Sequence, residues 1–220
     1  MEKASQDSLP ASQGKTGSAG DLDRALKRAF DICVSGLSLL VLLPLLPFVA
    51  LLIRLDSAGP VFYRRRVLGL GRSQFDAFKL RTMHIDGDAI LAVRPELLEQ
   101  LNREGKLRAD PRVTRVGHWL RRFSIDELPQ LANVLRGEMS MVGPRMISPP
   151  ELIRFGPYAD ELLSVRPGIT GLWQISGRAE LAYEDRVLLN VQYIRTRSIW
   201  LDLKIVLLTL PAAFLGKGAY

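Results

Sequence analysis

Cysteine is almost absent from this chain of 220 residues. Cys33 stands alone, so no internal disulfide can form, and a lone thiol fits a reducing compartment. Histidine is nearly as scarce: His84 and His118 lie far apart, lack metal-ligand spacing and read as ordinary surface or core residues. No glycine-rich loop ends in Gly-Lys-Ser/Thr, and Gly69-Leu-Gly71 lacks the rest of a dinucleotide fingerprint, so neither phosphate-loop motif is present. No segment repeats. Residues 1–22 hold Ser, Gly, Gln, Ala and Lys with almost nothing to bury; they read as a disordered tail without the apolar core of a signal peptide. Acidic residues fall short of basic ones. The net charge of +7 and pI near 9.8 suit an anionic partner: nucleic acid, an acidic lipid surface or a polyphosphate.

Charge is missing altogether from Ile32 to Ile53, a run of 22 residues. As a straight helix it would measure about 33 Å, enough to cross a bilayer core. Pro44 and Pro47 fall past its middle and bend it. Its flanks are basic on both sides: Arg24, Lys27 and Arg28 before, Arg54 and Arg64 to Arg66 after. A crossing segment cannot leave both flanks in the cytoplasm, whereas one that dips in, turns at the prolines and returns can. The re-entrant form over residues 23–56 is therefore expected, with a one-pass anchor as the alternative.

The most informative stretch runs from Ser124 to Arg145. Pro129 predicts a helix starting near Ser124 to Asp126, carried by Leu128, Leu131, Ala132 and Leu135 and stopped by Gly137. Asp126 and Glu127 then sit at a helix N-terminus, which favours their charged forms. Ser124 and Glu127 also fit a capping box. That reading leaves Asp126, Arg121, Arg122 and Gly143-Pro144-Arg145 unexplained. Carboxylates pressed between arginines suit a phosphorylated ligand, with a divalent cation to relieve repulsion.

Elsewhere, Val61–Tyr63 and Phe75–Leu80 read as strands of a hairpin around Gly69-Leu-Gly71. Lys79 and Arg81 share one face, either solvated or turned into the site. Helical pattern covers Pro95–Asn102, His118–Phe123, Glu151–Val165 and Tyr183–Arg197. Between Arg166 and Arg178, Gly168, Gly171 and Gly177 would let backbone N–H groups approach a ligand; a connector with solvated arginines is the alternative. The uncharged run from Ile205 to Leu215 is too short to span. It lies flat at the interface with Trp200 at headgroup level, or else forms a buried core helix.

Several motifs in order give the chain a family. They are Lys27-Arg28-x-Phe30-Asp31, the proline-bent apolar segment, Gly59-Pro60-Val61-Phe62, Phe78-Lys79-x-Arg81-Thr82-Met83 and Asp110-Pro111-Arg112. Ser124-x-Asp126-Glu127-Leu128-Pro129-Gln130-Leu131, Val142-Gly143-Pro144-Arg145 and Arg166-Pro167-Gly168-Ile169-Thr170-Gly171 follow. From about residue 24 onward the chain resembles the bacterial sugar transferases, monotopic phosphoglycosyl transferases that begin lipid-linked glycan assembly.

The resemblance implies transfer of a sugar-1-phosphate from a UDP-sugar to a polyprenyl (undecaprenyl) phosphate, with release of UMP, as the first membrane step of exopolysaccharide, O-antigen or capsule synthesis. It implies Asp126 as nucleophile carrying a covalent phosphosugar, and Glu127 with Asp126 as ligands of Mg²⁺. Arg121, Arg145 and Arg178 are the candidates for phosphate contacts, with Lys79, Arg81, Arg166, Gly168, Thr170, Gly171 and Gln174 as further substrate contacts. The segment from Leu172 to Arg178 and the ending Gly-Ala-Tyr220 look most like members using UDP-glucose or UDP-galactose. The implied fold is α+β, mostly helical: a re-entrant membrane helix kinked at Pro44 and Pro47, a small β-hairpin, and amphipathic interfacial helices around a cytoplasmic catalytic domain at 57–199. An interfacial C-terminal helix and tail fill 200–220. The protein would sit in one leaflet at the cytoplasmic face of the bacterial inner membrane, with no nucleic-acid partner and with a homo-dimer left open.

Departures from the family pattern are Leu43 before the bending proline, Arg65 for the usual Gln, Met146 for a Pro, and Asn190 for an Asp. The competing reading is a non-enzymatic, membrane-tethered basic protein that binds nucleic acid or acidic lipid.

Overall fold

A computed structural model describes residues 18–104, 107, 109–177 and 181–215. Helix α1 (Ser18–Leu42) begins inside the stretch expected to be tail. A single 3₁₀ turn, Leu43–Leu45, joins it to α2 (Leu46–Asp56). Pro44 and Pro47 each fall in the first turn of the segment they open, where a missing N–H costs little. They thus mark a junction between two helices and do not break one from within. Asp21–Asp56 makes a 36-residue helical run, and only 6% of its most apolar window is buried in the protein.

The hairpin is β1 (Phe62–Leu68) and β2 (Gln74–Leu80), antiparallel, with Phe62 opposite Leu80 and Leu68 opposite Gln74. Phe75 and Ala77 are buried on one face of β2, and two-residue alternation puts Lys79 on that same face. Next come α3 (Gly87–Ala92), α4 (Pro95–Glu104) and α5 (Arg115–Arg122), the last capped by the Thr114 hydroxyl, which accepts from Gly117 N at 2.9 Å.

A 3₁₀ turn over Ile125–Glu127 precedes α6 (Gln130–Arg136), which Gly137 ends at φ 82°. The chain continues through β3 (Ser140–Val142), a 3₁₀ stretch at Pro149–Tyr158, α7 (Ala159–Leu162), β4 (Gly168–Thr170) and α8 (Leu172–Ile175). It closes with α9 (Tyr183–Thr196) and α10 (Ile199–Leu215). The regular helix expected over Glu151–Val165 is not formed. Gly156, at φ 50° and ψ −126°, and Pro157 interrupt it.

Strands β3 and β4 form a parallel pair, Ser140 opposite Gly168 and Val142 opposite Thr170. A Cβ on Gly168 would collide with Gly143 N, and one on Gly171 with Gly143 O. These glycines therefore permit two backbones to approach.

The main core gathers Val67, Val134, Met139, Val142, Ile147 and Ile205, all but sealed from solvent, and Phe30, Val34, Leu39 and Leu42 of α1 pack on it. A smaller cluster of Ile53, Leu80 and Leu120 takes up Leu46 and Val49 of α2. Both halves of the apolar run therefore hold the same folded unit.

Polar contacts reinforce the first of these attachments. Asp31 Oδ1 accepts from Ser140 Oγ at 2.9 Å, Met141 N at 2.9 Å and Lys27 Nζ at 3.0 Å. Lys27 also lies 2.9 Å from Asp202 Oδ2, and the Tyr193 hydroxyl lies 2.7 Å from Asp202 Oδ1. Burial and the Asp202 carboxylate push the Tyr193 phenol well above its ordinary pKa, so it stays protonated. One ammonium thus serves two buried carboxylates on α1 and α10. Removing one partner of a buried ion pair costs roughly 3–5 kcal/mol. Lys27→Met is expected to lower thermal stability in detergent by that order; an unshifted melting curve would show that the network is dispensable.

Candidate active site

The turn that carries Asp126 differs from the helix start expected there. Ser124 adopts the left-handed conformation at φ 56°, makes no side-chain cap, and is followed by the 3₁₀ turn; the helix proper begins only at Gln130. The capping box is therefore not at Ser124 and Glu127. One forms instead at Ser148 and Glu151, whose Oε2 accepts from Ser148 N at 2.7 Å. Freed from capping, Glu127 turns its carboxylate to Lys79, with Oε1 2.7 Å from Nζ. The same ammonium is 3.7 Å from Asp126 Oδ2.

Asp126 is 7% exposed. Burial is the dominant influence on it and raises its pKa from the ordinary 3.8 to about 6; the Glu127 charge pushes the same way, while Lys79 and Arg121 pull it down. This corrects the expectation that a helix N-terminus simply favours its charged form. Burial also opposes ionisation of Glu127, but there the Lys79 ammonium wins, with Arg145 and Arg65 adding to it, and the carboxyl lies below its ordinary range. Burial acts on both adjacent carboxylates; they differ in basicity because Glu127 is hydrogen-bonded directly to Lys79, which stands farther from Asp126.

Around them lies a cavity of 1410 Å³, lined among others by Lys79, Arg121, Asp126, Glu127, Arg145 and Trp173. Arg121 donates through Nε to Thr82 Oγ1 at 2.9 Å, which aims its guanidinium at the carboxylates; burial lowers its pKa against the pull of Asp126. The Arg145 guanidinium stands 4.9 Å from the Trp173 ring centroid and has no hydrogen-bonding partner among the described residues. Its backbone N–H donates to Asn190 Oδ1 at 2.8 Å, while Asn190 Nδ2 donates to Arg186 O at 2.6 Å. An Asp at position 190 would accept the first bond but could not make the second.

The other expected contacts divide. Gly168, Thr170 and Gln174 line the cavity. Gly171 does not line it and packs on Gly143. Arg81 also reaches the cavity wall, but its guanidinium donates to the carbonyls of Ile53, Ser57 and Ala58 at the end of α2. Arg166 is exposed and donates to Gly137 O at 2.7 Å, away from the cavity. Arg178 lies outside the described residues.

The structure adds residues that sequence reasoning did not single out. Thr82 holds Arg121, Trp173 carries Arg145 on its face, and Arg186 stands 5.9 Å from the same ring. Arg65 pairs with Glu151 at 2.7 Å, so the residue in place of the family's Gln has a partner of its own. Their roles have no local signal, because each meets its partner across the fold.

A cation site here would rest on Asp126 and Glu127, since no group of three or more His, Cys, Asp or Glu side chains stands ready to hold a metal among the described residues. Two hard oxygen donors suit Mg²⁺, which keeps several waters and takes one or two carboxylates together with substrate phosphates.

Residues 22–216 match the family described as bacterial sugar transferase. The chain is 41% identical over 210 residues to the exopolysaccharide production protein ExoY of Rhizobium meliloti, covering 94% of this chain and 93% of that protein. It is 46% identical to the undecaprenyl-phosphate glucose phosphotransferase of Komagataeibacter xylinus, covering 90% of this chain and 37% of the relative. It is 38% identical to the undecaprenyl-phosphate galactose phosphotransferase of Salmonella typhimurium, covering 90% and 42%.

A stability consequence follows from Asp126. Its raised pKa means that the folded state holds the proton more tightly than the unfolded chain. The resulting stabilisation is full below pH 3.8 and is lost as pH rises through about 6. A shift from 3.8 to about 6 amounts to roughly 3 kcal/mol. Asp126→Asn is therefore expected to melt above the wild type at about pH 7.5, by up to that amount, with the gap closing on acidification. Differential scanning at both pH values checks this; a variant less stable than wild type at the higher pH contradicts the burial argument.

Proposed function

The chain belongs to the bacterial sugar transferases, and from that premise we propose that it is a phosphoglycosyl transferase moving a sugar-1-phosphate from a UDP-sugar to undecaprenyl phosphate, with release of UMP. One observation carries the reading: a desolvated carboxylate with raised basicity stands in a cavity among Lys79, Arg121 and Arg145. An ionised group of higher pKa is the better nucleophile, and at neutral pH Asp126 is still mostly ionised.

In the first half-reaction an Asp126 oxygen attacks the β-phosphorus of the UDP-sugar. The bond to the bridging oxygen breaks, and UMP leaves with that oxygen and its electron pair. In the second, an oxygen of the polyprenyl phosphate attacks the same phosphorus, the bond to the aspartyl oxygen breaks, and the carboxylate is restored. Lys79 holds Glu127 and steadies Asp126 in its ionised form, while Arg121 and the Arg145 guanidinium meet phosphoryl oxygens. Mg²⁺ held by Glu127 and Asp126 would neutralise phosphate charge during transfer. The names of the relatives favour glucose or galactose as the sugar, and the role would be in starting an exopolysaccharide or similar glycan.

The re-entrant placement of residues 23–56, at the cytoplasmic face of the inner membrane, draws support from the anchoring of both ends. At one end Arg28 donates to the carbonyls of Val134 and Leu135 at 2.6 and 2.8 Å. At the other, Asp56 accepts from Val116 N at 2.9 Å. A segment that crossed the bilayer would separate these ends by about 42 Å along a straight helix, with a membrane between them. Between the anchors, Leu37, Leu40, Val41, Leu43 and Phe48 are exposed to the surroundings. Tags at the two termini should both be reached from one side of sealed vesicles; opposite-side labelling would exclude re-entry.

The chemistry is tested by incubating the protein with UDP-glucose, UDP-galactose and other UDP-sugars, undecaprenyl phosphate and Mg²⁺, and measuring UMP. Asp126→Asn should cut release at least about a thousandfold, the scale of losing a nucleophile, and acid quenching of wild type should leave a phosphosugar on residue 126. Silence with every donor from folded protein sinks the assignment. The rate should fall tenfold per pH unit below about pH 6. Lys79→Met, by removing the strongest charge that lowers the Asp126 pKa, should move that acid limb to higher pH. An unmoved limb would deny Lys79 this role.

A further inference from the structure

Transfer of the phosphoryl group uses neither Asp110 nor Arg112, although Arg112 lines the same cavity as Asp126. Asp110 grips Arg112 side-on. Its Oδ1 accepts from the Arg112 backbone N–H at 3.0 Å and from Nε at 2.9 Å, and its Oδ2 accepts from Nη2 at 2.7 Å. Burial opposes ionisation of Asp110, but the Arg112 bonds outweigh it and hold the carboxyl below its ordinary range. The main chain is fixed as well: Arg112 O accepts from His84 N at 2.9 Å, and Met83 bridges Val113. The side-chain stem lies against Gly87, where an added Cβ would come within 3.2 Å of Arg112 Cδ. This grip uses two of the five guanidinium N–H donors, and Nη1 makes no hydrogen bond among the described residues.

Asp88, next after Gly87, lines the cavity too. It is exposed, and its carboxylate makes no hydrogen bond or ion pair among the described residues, although it stands close enough to act on the Arg112 charge. A fork with hydrogens to spare thus neighbours an acceptor with lone pairs to spare. Hydroxyl groups answer both, because each can donate to a carboxylate and accept from a guanidinium.

Charge decides which part of a UDP-sugar belongs here. Glu127 feels Arg145 and Arg65, and Arg186 also lines the cavity, while one carboxylate, Glu151, pairs with Arg65. Three guanidiniums against one carboxylate suit the nucleotide phosphate. Asp126 instead feels Arg121, and Arg121 in turn feels Asp110 and Arg112. There the single guanidinium of Arg112 is set against two carboxylates, Asp110 and Asp88. A second phosphate would be repelled, whereas an uncharged polyol would not. The ribose is the donor's other polyol, but its phosphate ester ties it to the more cationic group.

We propose that Asp88 and Arg112 seat the hexosyl group of the donor, the carboxylate accepting from its hydroxyls and the guanidinium donating to them. This rests on the transferase reading and adds which residues hold the sugar. The hexose stays on phosphorus through both half-reactions. A seat beside Arg121 holds it while UMP departs and the acceptor phosphate arrives.

The test measures binding to the full-length protein in nanodiscs, carrying Asp126→Asn so that no donor is consumed. Dissociation constants for UDP-glucose, UDP-galactose and UMP are compared with and without Asp88→Ala. Taking a carboxylate away from an anionic ligand strengthens binding when repulsion is its only effect. Here the better-bound UDP-hexose should instead weaken at least about tenfold, the scale of losing a charge-assisted hydrogen bond, while UMP binds as before. Arg112→Lys keeps a cation for Asp110 but loses the fork, and should give the same pattern.

Retained UMP binding reports that each variant is folded. Unchanged or tighter UDP-hexose binding after Asp88→Ala overturns the proposal. So does a parallel loss of UMP binding at an unchanged melting temperature, which would place the nucleotide at this seat. The reaction is judged separately. Wild type that shows this binding pattern but releases no UMP keeps the seat and loses the chemistry; UMP release without the pattern keeps the chemistry and loses the seat.

Discussion

The ammonium of Lys79, 2.7 Å from Glu127 and 3.7 Å from Asp126, is the contact on which the site depends. Two adjacent carboxylates in a largely desolvated pocket would repel each other and resist ionisation, and a cation on the opposite wall offsets both costs. The hairpin exists, in functional terms, to deliver that cation. Lys79 shares the face of β2 that buries Phe75 and Ala77, so the strand period carries it inward with the core. Asn133 then pins the strand: its Oδ1 accepts from Phe78 N at 3.0 Å, and its Nδ2 donates to Asp76 O at 2.9 Å. Because Asn133 belongs to α6, it ties the helix behind the carboxylates to the strand bearing Lys79.

The apolar segment is built into this arrangement and is more than a tether. Its N-terminal half carries Asp31, which binds the edge of β3, and its C-terminal half carries Asp56, which caps α5. Arginines complete the seams. Arg28 closes the carbonyl end of α6 and Arg81 that of α2, each placing a cation at the negative end of a helix. Disturbing the apolar run would therefore reach β3, α5 and α6, the elements that border the cavity.

Those arginines show where sequence reasoning meets its limit. Arg81, Arg121, Arg145 and Arg166 all stand near phosphate-compatible motifs, and a guanidinium fork suits a phosphate and a set of backbone carbonyls equally well. Arg121 and Arg145 face the cavity with donors to spare, whereas Arg81 and Arg166 are committed to carbonyls of α2 and of Gly137. Nothing local separates the pairs, since the carbonyls concerned lie elsewhere in the chain. The glycines teach the same lesson. Gly168 and Gly171 promise a close approach, and they make one, but to Gly143, because the parallel pairing of β3 with β4 is a contact between distant segments.

Residue order alone determined the hairpin, most of the helices, the apolar run with its two prolines, and the pairing of Asp126 with Glu127, because periodicity, turn residues and breakers act over a few positions. It also carried the family resemblance, since motifs keep their order along the chain. Tertiary structure decided what those groups became. It turned Glu127 from a cap into a partner of Lys79, and made Asp126 more basic where a helix end had been expected to keep it acidic. Desolvation and long-range pairing depend on which surfaces meet, and that is settled only when segments more than a hundred residues apart are brought together, as Arg28 is to Leu135 and Asp31 to Met141.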